Sequence, residues 1–241
     1  MPVKQVLQKI LFKRRKVIIS FPKSGRSWYR VLLDELGVEV KFDHLGSDLA
    51  LAEPWQKAGY IRPIGMRQAA LLTRDPRDAV VSAFYHLRDR VKSPYDGTMS
   101  DFIRDPRFGI EKAARFNLLC AEQVKARRGL VISYEETHEN PIETLDRTAR
   151  FFGCSPSRER LADVAERNVF SRMRERELSG ELGRHGAALG ATTPGDERSL
   201  KLRKGRVGGY VDDLSDDDAE FCHSVLQRLA YAERMSGHLG R

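Results

Sequence analysis

Val17-Ile18-Ile19-Ser20-Phe21-Pro22-Lys23-Ser24-Gly25-Arg26-Ser27-Trp28 passes from a β-branched run, through a proline and a glycine, into helical spacing. Residues 17–21 have the composition of a strand buried in a parallel sheet. Pro22 has no backbone N–H and a fixed φ, so the strand stops there. Gly25 admits backbone angles that other residues resist. Beyond Ser27, Trp28, Val31, Leu32, Leu33 and Leu36 recur at the spacing of one helix face. The stretch therefore reads as strand, tight loop and helix N-terminus.

A loop of this kind aims several backbone N–H groups at one point, and the helix N-terminus adds partial positive charge. Lys23 supplies a full charge, and Ser24 and Ser27 supply hydroxyl donors. The set suits an anion, a phosphate foremost. An ordinary strand-to-helix turn with a surface lysine has the same ingredients. The stretch also lacks a Gly-Lys-Ser/Thr ending, so it is not the phosphate loop of common nucleotide hydrolases. The rest of the chain has to choose.

Outward from this unit the same logic recurs. Val38, Val40 and Phe42 alternate with polar positions, which predicts a strand over 38–42. Residues 45–68 read as loop with short helical pieces. Residues 69–73 are a second buried strand, followed by Asp75 as N-cap and Pro76 at the first helical position. Ala79, Val80, Ala83, Phe84, Leu87 and Val91 then mark an amphipathic helix. Further helices are predicted over 99–104, 110–127, 141–152 after an Asn140 N-cap, and 157–167. A last one starts at Ser215 with Asp216, Asp217 and Asp218 in its first turn. A third strand is predicted over 130–134. Residues 177–202 are glycine-rich with few large apolar side chains, which predicts a flexible loop. The alternation of strands and helices predicts one α/β domain over 1–241, a parallel sheet flanked by helices.

The 241 residues are enough to bury a sizeable core, and 41% hydrophobic with 32% charged residues describes a globular protein with a charged surface. The net charge of +8 suits polyanions, acidic lipids or a multiply phosphorylated small molecule without choosing among them. Cys120, Cys154 and Cys222 form no pair and no metal-ligand spacing, which fits a reducing compartment. The N-terminal residues lack the apolar core of a signal peptide, and no stretch approaches the ~20 apolar residues of a membrane span. A cytoplasmic location is expected. Val3, Val6, Leu7, Ile10 and Leu11 form one helical face beside the basic run 13–16, which suits packing on the domain or peripheral contact with an anionic membrane.

Polar chemistry gathers in three more places. Arg74 at the end of the second strand and Ser82 two helical turns later can converge on one phosphate; the plain alternative is a capped helix start with Arg77 and Asp78 solvated. Arg203-Lys204-Gly205 places two cations before glycines, either to close over an anion or as a solvated basic turn. His44 follows the strand-like segment and can take a proton near neutral pH.

Three of these segments together resemble the sulfotransferase family that uses 3′-phosphoadenosine 5′-phosphosulfate (PAPS). Residues 21–28 resemble its 5′-phosphosulfate loop, Arg74-Asp75-Pro76-Arg77-Asp78-Ala79-Val80-Val81-Ser82 its 3′-phosphate motif, and Arg203-Lys204-Gly205-Arg206-Val207-Gly208 its late Arg-Lys-Gly-x-x-Gly loop. Tyr134-Glu135-Glu136 and 140–145 resemble the segment between them. The resemblance spans roughly residues 16–210 and implies a P-loop-kinase-like α/β fold.

It also implies roles. Lys23, His44 and Ser82 are expected to serve catalysis: Lys23 at the leaving oxygen, His44 as general base, Ser82 at the 3′-phosphate with Arg74. Ser24, Gly25, Arg26 and Ser27 would hold the 5′-phosphate, and Trp28, Tyr134 and Phe170 would line the adenine. Arg203, Lys204 and Gly205 would join the 3′-phosphate. No metal is required. The acceptor would carry a hydroxyl, or an amine, on a small molecule, sugar or glycolipid. Its walls would come from 42–68, 84–108 and 177–202, with Trp55, Tyr60, Phe84, Tyr85, His86, Tyr95 and Phe108. The chain departs from the family pattern at Phe42, Arg26 and Val211, and no family-type dimerisation motif stands at its C-terminus. Two other readings remain open here. A phosphoryl transferase would normally show Gly-Lys-Ser/Thr. A nucleic-acid-binding protein would show steep salt dependence, and the clustering of cations in phosphate-sized motifs argues against it.

Overall fold

The β-branched run forms strand β1, Lys16–Ser20, at the centre of the sheet. The computed structural model describes residues 15–46, 64, 67–91, 94–179 and 205–238. Strands β2 (Lys41–Asp43), β3 (Gln68–Thr73) and β4 (Leu130–Ser133) complete a parallel sheet in the order β2-β1-β3-β4. Parallel neighbours need long crossovers, and helices supply them. Helix α1 (Arg26–Glu35) lies between β1 and β2, and α2 (Pro76–Asp89), α3 (Met99–Arg104) and α4 (Ile110–Lys125) lie between β3 and β4; α5 (Tyr134–Glu139), α6 (Pro141–Phe151), α7 (Arg158–Arg167) and α8 (Phe170–Ser179) follow β4. A 3₁₀ turn, Gly209–Asp212, then precedes α9 (Asp216–Arg228) and α10 (Tyr231–Ser236).

Successive strand residues face opposite sides, so the sheet has two cores. Val17, Ile19, Ala69, Leu71 and Val131 face α2, α4, α9 and α10. Ile18, Ala70, Leu72 and Ile132 face α1, α6 and α7. Cys120 and Cys222 are buried in the first core, where burial pushes both thiols far above their usual range. This is the expected parallel α/β sheet flanked by helices.

Local details depart from expectation. The strand predicted over 38–42 is three residues long, because Val38 N–H closes the end of α1 on Leu33 O (2.8 Å) and Val38 is buried beneath that helix. Residue 134 leaves the strand: Ser133 Oγ accepts from Glu136 N–H and starts α5. Asn140 precedes α6, but its side chain makes no capping bond. Helices α8 and α10 have no counterpart in the sequence reading, and residues 177–179 end α8 with Glu177 buried. The rest of the glycine-rich stretch, the N-terminal apolar face, Trp55 and Tyr60 lie outside the described residues. Of the residues expected along an acceptor wall, Phe84 is buried in the core, and Tyr95 and Phe108 are half-buried and pack edge-on and stacked against the fully buried Phe102.

Candidate functional site

Parallel strands all end at one edge of the sheet, and ligands of open α/β sheets bind there, where the chain reverses its order across the sheet. Here β1 leads outward to β2, and the chain then returns past β1 to β3, so the reversal lies beside β1. The residues that follow the four strands are the loop 21–25, His44, Arg74 and Tyr134.

The first loop reverses tightly. Lys23 has φ 68° and Gly25 φ 84°, both left-handed. A Cβ on Gly25 would lie 2.4 Å from Tyr134 Cδ2, so a glycine is required twice over, for its angle and for its space. Gly25 is the N-cap of α1 and has no side chain to cap it, which leaves the first-turn amides without a side-chain acceptor. Ser24 is fully buried, and its Oγ has no hydrogen-bond partner among the described residues. A buried hydroxyl without a partner beside an uncapped helix N-terminus fits an oxyanion.

Arg74 ties the segments together. Its side chain is 12% exposed. Nη1 donates to Lys23 O and Nη2 to Arg206 O, both at a long 3.3 Å. The guanidinium lies 4.4 Å over the Tyr134 ring. Buried Nε has no partner among the described residues. Phosphate oxygens would replace two weak carbonyl bonds with charge-assisted ones. The main chain of Arg74 is held from behind: Asn117 Nδ2 donates to Arg74 O (3.3 Å) and to Tyr231 Oη (2.8 Å). Asp75 N–H donates to Glu135 Oε1 (2.8 Å), and burial pushes the Glu135 carboxyl pKa up.

An aromatic group forms the far wall. Trp28 meets Tyr134 edge-on at 5.5 Å and lies 4.7 Å from the His138 ring; its Nε1 donates to Asn168 O (2.8 Å). Burial, with Arg74 nearby, lowers the His138 pKa. Phe170 stands against Gly205, whose φ is 57° and where an added Cβ would meet the ring at 1.7 Å. His44 is buried beside β1, and its Nδ1 donates to Ser20 O (2.6 Å). A carbonyl only accepts, so the proton of the neutral ring is on Nδ1 and Nε2 is the basic nitrogen.

The site residues expected from the sequence thus gather at one sheet edge: Lys23 to Trp28 in the loop and first turn of α1, His44 after β2, Arg74 after β3 and Tyr134 after β4. Gly205 closes onto Phe170. Ser82 is half-buried on α2, and Arg203 and Lys204 lie outside the described residues. The plain alternative, a capped helix start with Arg77 and Asp78 solvated, holds for the Asp75 cap but not for the solvation. Asp78 is buried and accepts from Gly208 N–H and Tyr210 N–H, and Arg77 binds Asp75 and stacks on Tyr210. The sequence offered one hint, the i,i+4 spacing of Arg74 and Asp78, and Glu135 stood within the Tyr134-Glu135-Glu136 segment, whereas nothing local marks Asn117 or His138. Among the described residues no group of three or more His, Cys, Asp or Glu is placed to hold a metal ion, and no helix is long and apolar enough to cross a membrane.

The profile of the sulfotransferase domain family matches residues 69–238. No curated protein sequence matches the chain. Among solved structures, the chain resembles mouse sulfotransferase SULT7A1 complexed with PAP, at 18% identity over 89% of this chain and 84% of that one, TM-score 0.59. It also resembles retinol dehydratase in complex with androsterone and the inactive cofactor PAP, at 15% identity over 89% and 80%, TM-score 0.60. Retinol dehydratase with retinol and PAP gives 15% identity over the same shares and TM-score 0.61. At such identities the likeness is one of fold.

Proposed function

Because the chain belongs to the sulfotransferase domain family, we propose that it transfers a sulfonate from PAPS to the hydroxyl, or the amine, of a small-molecule acceptor, with His44 as general base. One observation carries this reading. The Arg74 guanidinium bonds the carbonyl of Lys23 on one side and that of Arg206 on the other, so three motifs distant in sequence meet at one cation. The partnerless Ser24 Oγ and the uncapped start of α1 support a phosphate beside it.

PAPS supplies the sulfonate and a phosphate leaving group. A bond forms from the acceptor oxygen to sulfur as the bond from sulfur to the bridging phosphate oxygen breaks. His44 accepts the acceptor's proton at Nε2, and its bond to Ser20 O holds the ring in the required tautomer. Lys23 neutralises the charge that develops on the departing oxygen. The loop amides with Ser24, Arg26 and Ser27 hold the 5′-phosphate. Arg74, Ser82 and the segment at Gly205 hold the 3′-phosphate, and Trp28, Tyr134 and Phe170 line the base. Sulfuryl transfer, like phosphoryl transfer, asks mainly for position and charge stabilisation. The complexes of retinol dehydratase with androsterone and retinol support a small-molecule acceptor.

Thermal stabilisation by adenosine 3′,5′-bisphosphate (PAP), by ATP–Mg²⁺ and by an oligonucleotide tests the reading. A selective shift with PAP is expected. A larger shift with ATP–Mg²⁺ or with oligonucleotide would overturn it. A screen of hydroxyl and amine acceptors with labelled PAPS then finds the acceptor.

A further inference from the structure

Asp78 lies on α2, and its side chain is 2% exposed. Both carboxylate oxygens are used by one distant segment: Oδ2 accepts from Gly208 N–H and Oδ1 from Tyr210 N–H, each at 2.9 Å. Arg74 Nη2 stands 3.6 Å from Oδ2 and also donates to Arg206 O within that segment. Two further residues of α2 reach the same place. The Arg77 guanidinium lies 4.2 Å over the Tyr210 ring, and Tyr85 Oη donates to Asp213 Oδ1 at 2.9 Å.

A carboxylate beside an anion site opposes binding unless its charge is engaged. Here two amides and a guanidinium engage it. We propose that Asp78 is a positioning residue. It holds the segment 205–210 and the Arg74 guanidinium in one arrangement, and so selects nucleotides that carry a 3′-phosphate. The inference rests on the nucleotide reading above. With an asparagine in its place, one of the Gly208 and Tyr210 amides faces an NH2 donor and the other keeps only an uncharged acceptor, the Arg206 carbonyl is no longer held in place, and Arg74 loses its ion pair. The 5′ side of the site, built on the loop after β1, keeps its backbone bonds, Ser24 N–H to Phe21 O and Tyr29 N–H to Gly25 O.

The test compares wild type with Asp78→Asn in calorimetric titrations with PAP and with adenosine 5′-monophosphate, and follows amide hydrogen exchange at Gly208 and Tyr210. The variant is expected to bind PAP at least about tenfold more weakly, as the loss of charge-assisted hydrogen bonds requires, with monophosphate affinity within about twofold. Exchange should accelerate at Gly208 or Tyr210, whichever amide is left facing the asparagine NH2, and not in β1 or β3. Asp78→Glu, which keeps the charge on a longer arm, is expected to fall between the two and carries the same comparison if the asparagine variant does not fold. Equal losses for both nucleotides, unchanged PAP affinity, or protection lost throughout the sheet would overturn the inference. A wild-type protein that binds no PAP would instead remove the reading beneath it.

Discussion

Gly25 is where backbone angle and packing both forbid a side chain. Its φ of 84° and the 2.4 Å approach of a Cβ to Tyr134 leave Gly25→Ala no relaxed conformation. The variant should lose about 1–3 kcal/mol in denaturant unfolding and bind PAP more weakly, because the ring that must move is the one beneath Arg74. His44 makes a different prediction. His44→Ala should lower kcat by roughly 10²–10⁴ with PAP stabilisation unchanged, and a variant that turns over normally would exclude it as the base. His138 gives a pH dependence. Burial and Arg74 hold its folded pKa below the ordinary 6.5, so the unfolded chain takes up the proton first. Its contribution is present above that value and is lost as pH falls below it. Glu135 has the opposite sign, since burial raises its folded pKa above 4.5 and the folded state gains from protonation. A variant separates them: the fall in melting temperature from about pH 7.5 to about pH 5.5 should be smaller in His138→Phe than in wild type.

At the scale of the element, most boundaries come from side chains that bond the adjacent backbone. Asp75 caps α2, Ser133 caps α5, Ser157 caps α7 and Ser215 caps α9. Thr98 and Asp101 form a reciprocal capping box at the start of α3. Thr98→Ala should cost about 1 kcal/mol in chemical unfolding and speed amide exchange in α3. Full stability in that variant would mean that Phe102 and Ile103, both buried, hold the helix without its cap. Helices α2 and α9 were legible from Asp75 with Pro76 and from Ser215 with its acidic first turn, because a cap and its helix are neighbours in sequence. Helices α5, α8 and α10 were not legible. Two of them span six residues, too short for periodicity to emerge, and α8 carries only Met173 and Glu177 as buried positions.

For the whole molecule, stability rests on a sheet covered on both faces. Leu71, fully buried on β3 between β1 and β4, should lose about 2–5 kcal/mol as Leu71→Ala, read from urea unfolding with an unchanged slope. The order of strands was not written in any segment, since parallel neighbours are paired by packing across long crossovers. The loop after β1, Arg74 and Tyr134 could be read along the chain as strand ends, because apolar runs, proline and glycine act within a few residues. Those local signals alone sufficed for the α/β class, for the strand, loop and helix start over 17–28 and for the order of the motifs. They could not tell that Asp78 faces inward, because its partners, two backbone amides, lie 130 and 132 residues away and no side-chain pattern records them. Nor could they tell that Phe84 is buried beside Phe102 with Tyr95 and Phe108 packed against it, since an aromatic ring suits a pocket wall and a core equally until its neighbours are in place. Burial is a property of the assembled chain, and it alone separated the buried clamp from a solvated charge.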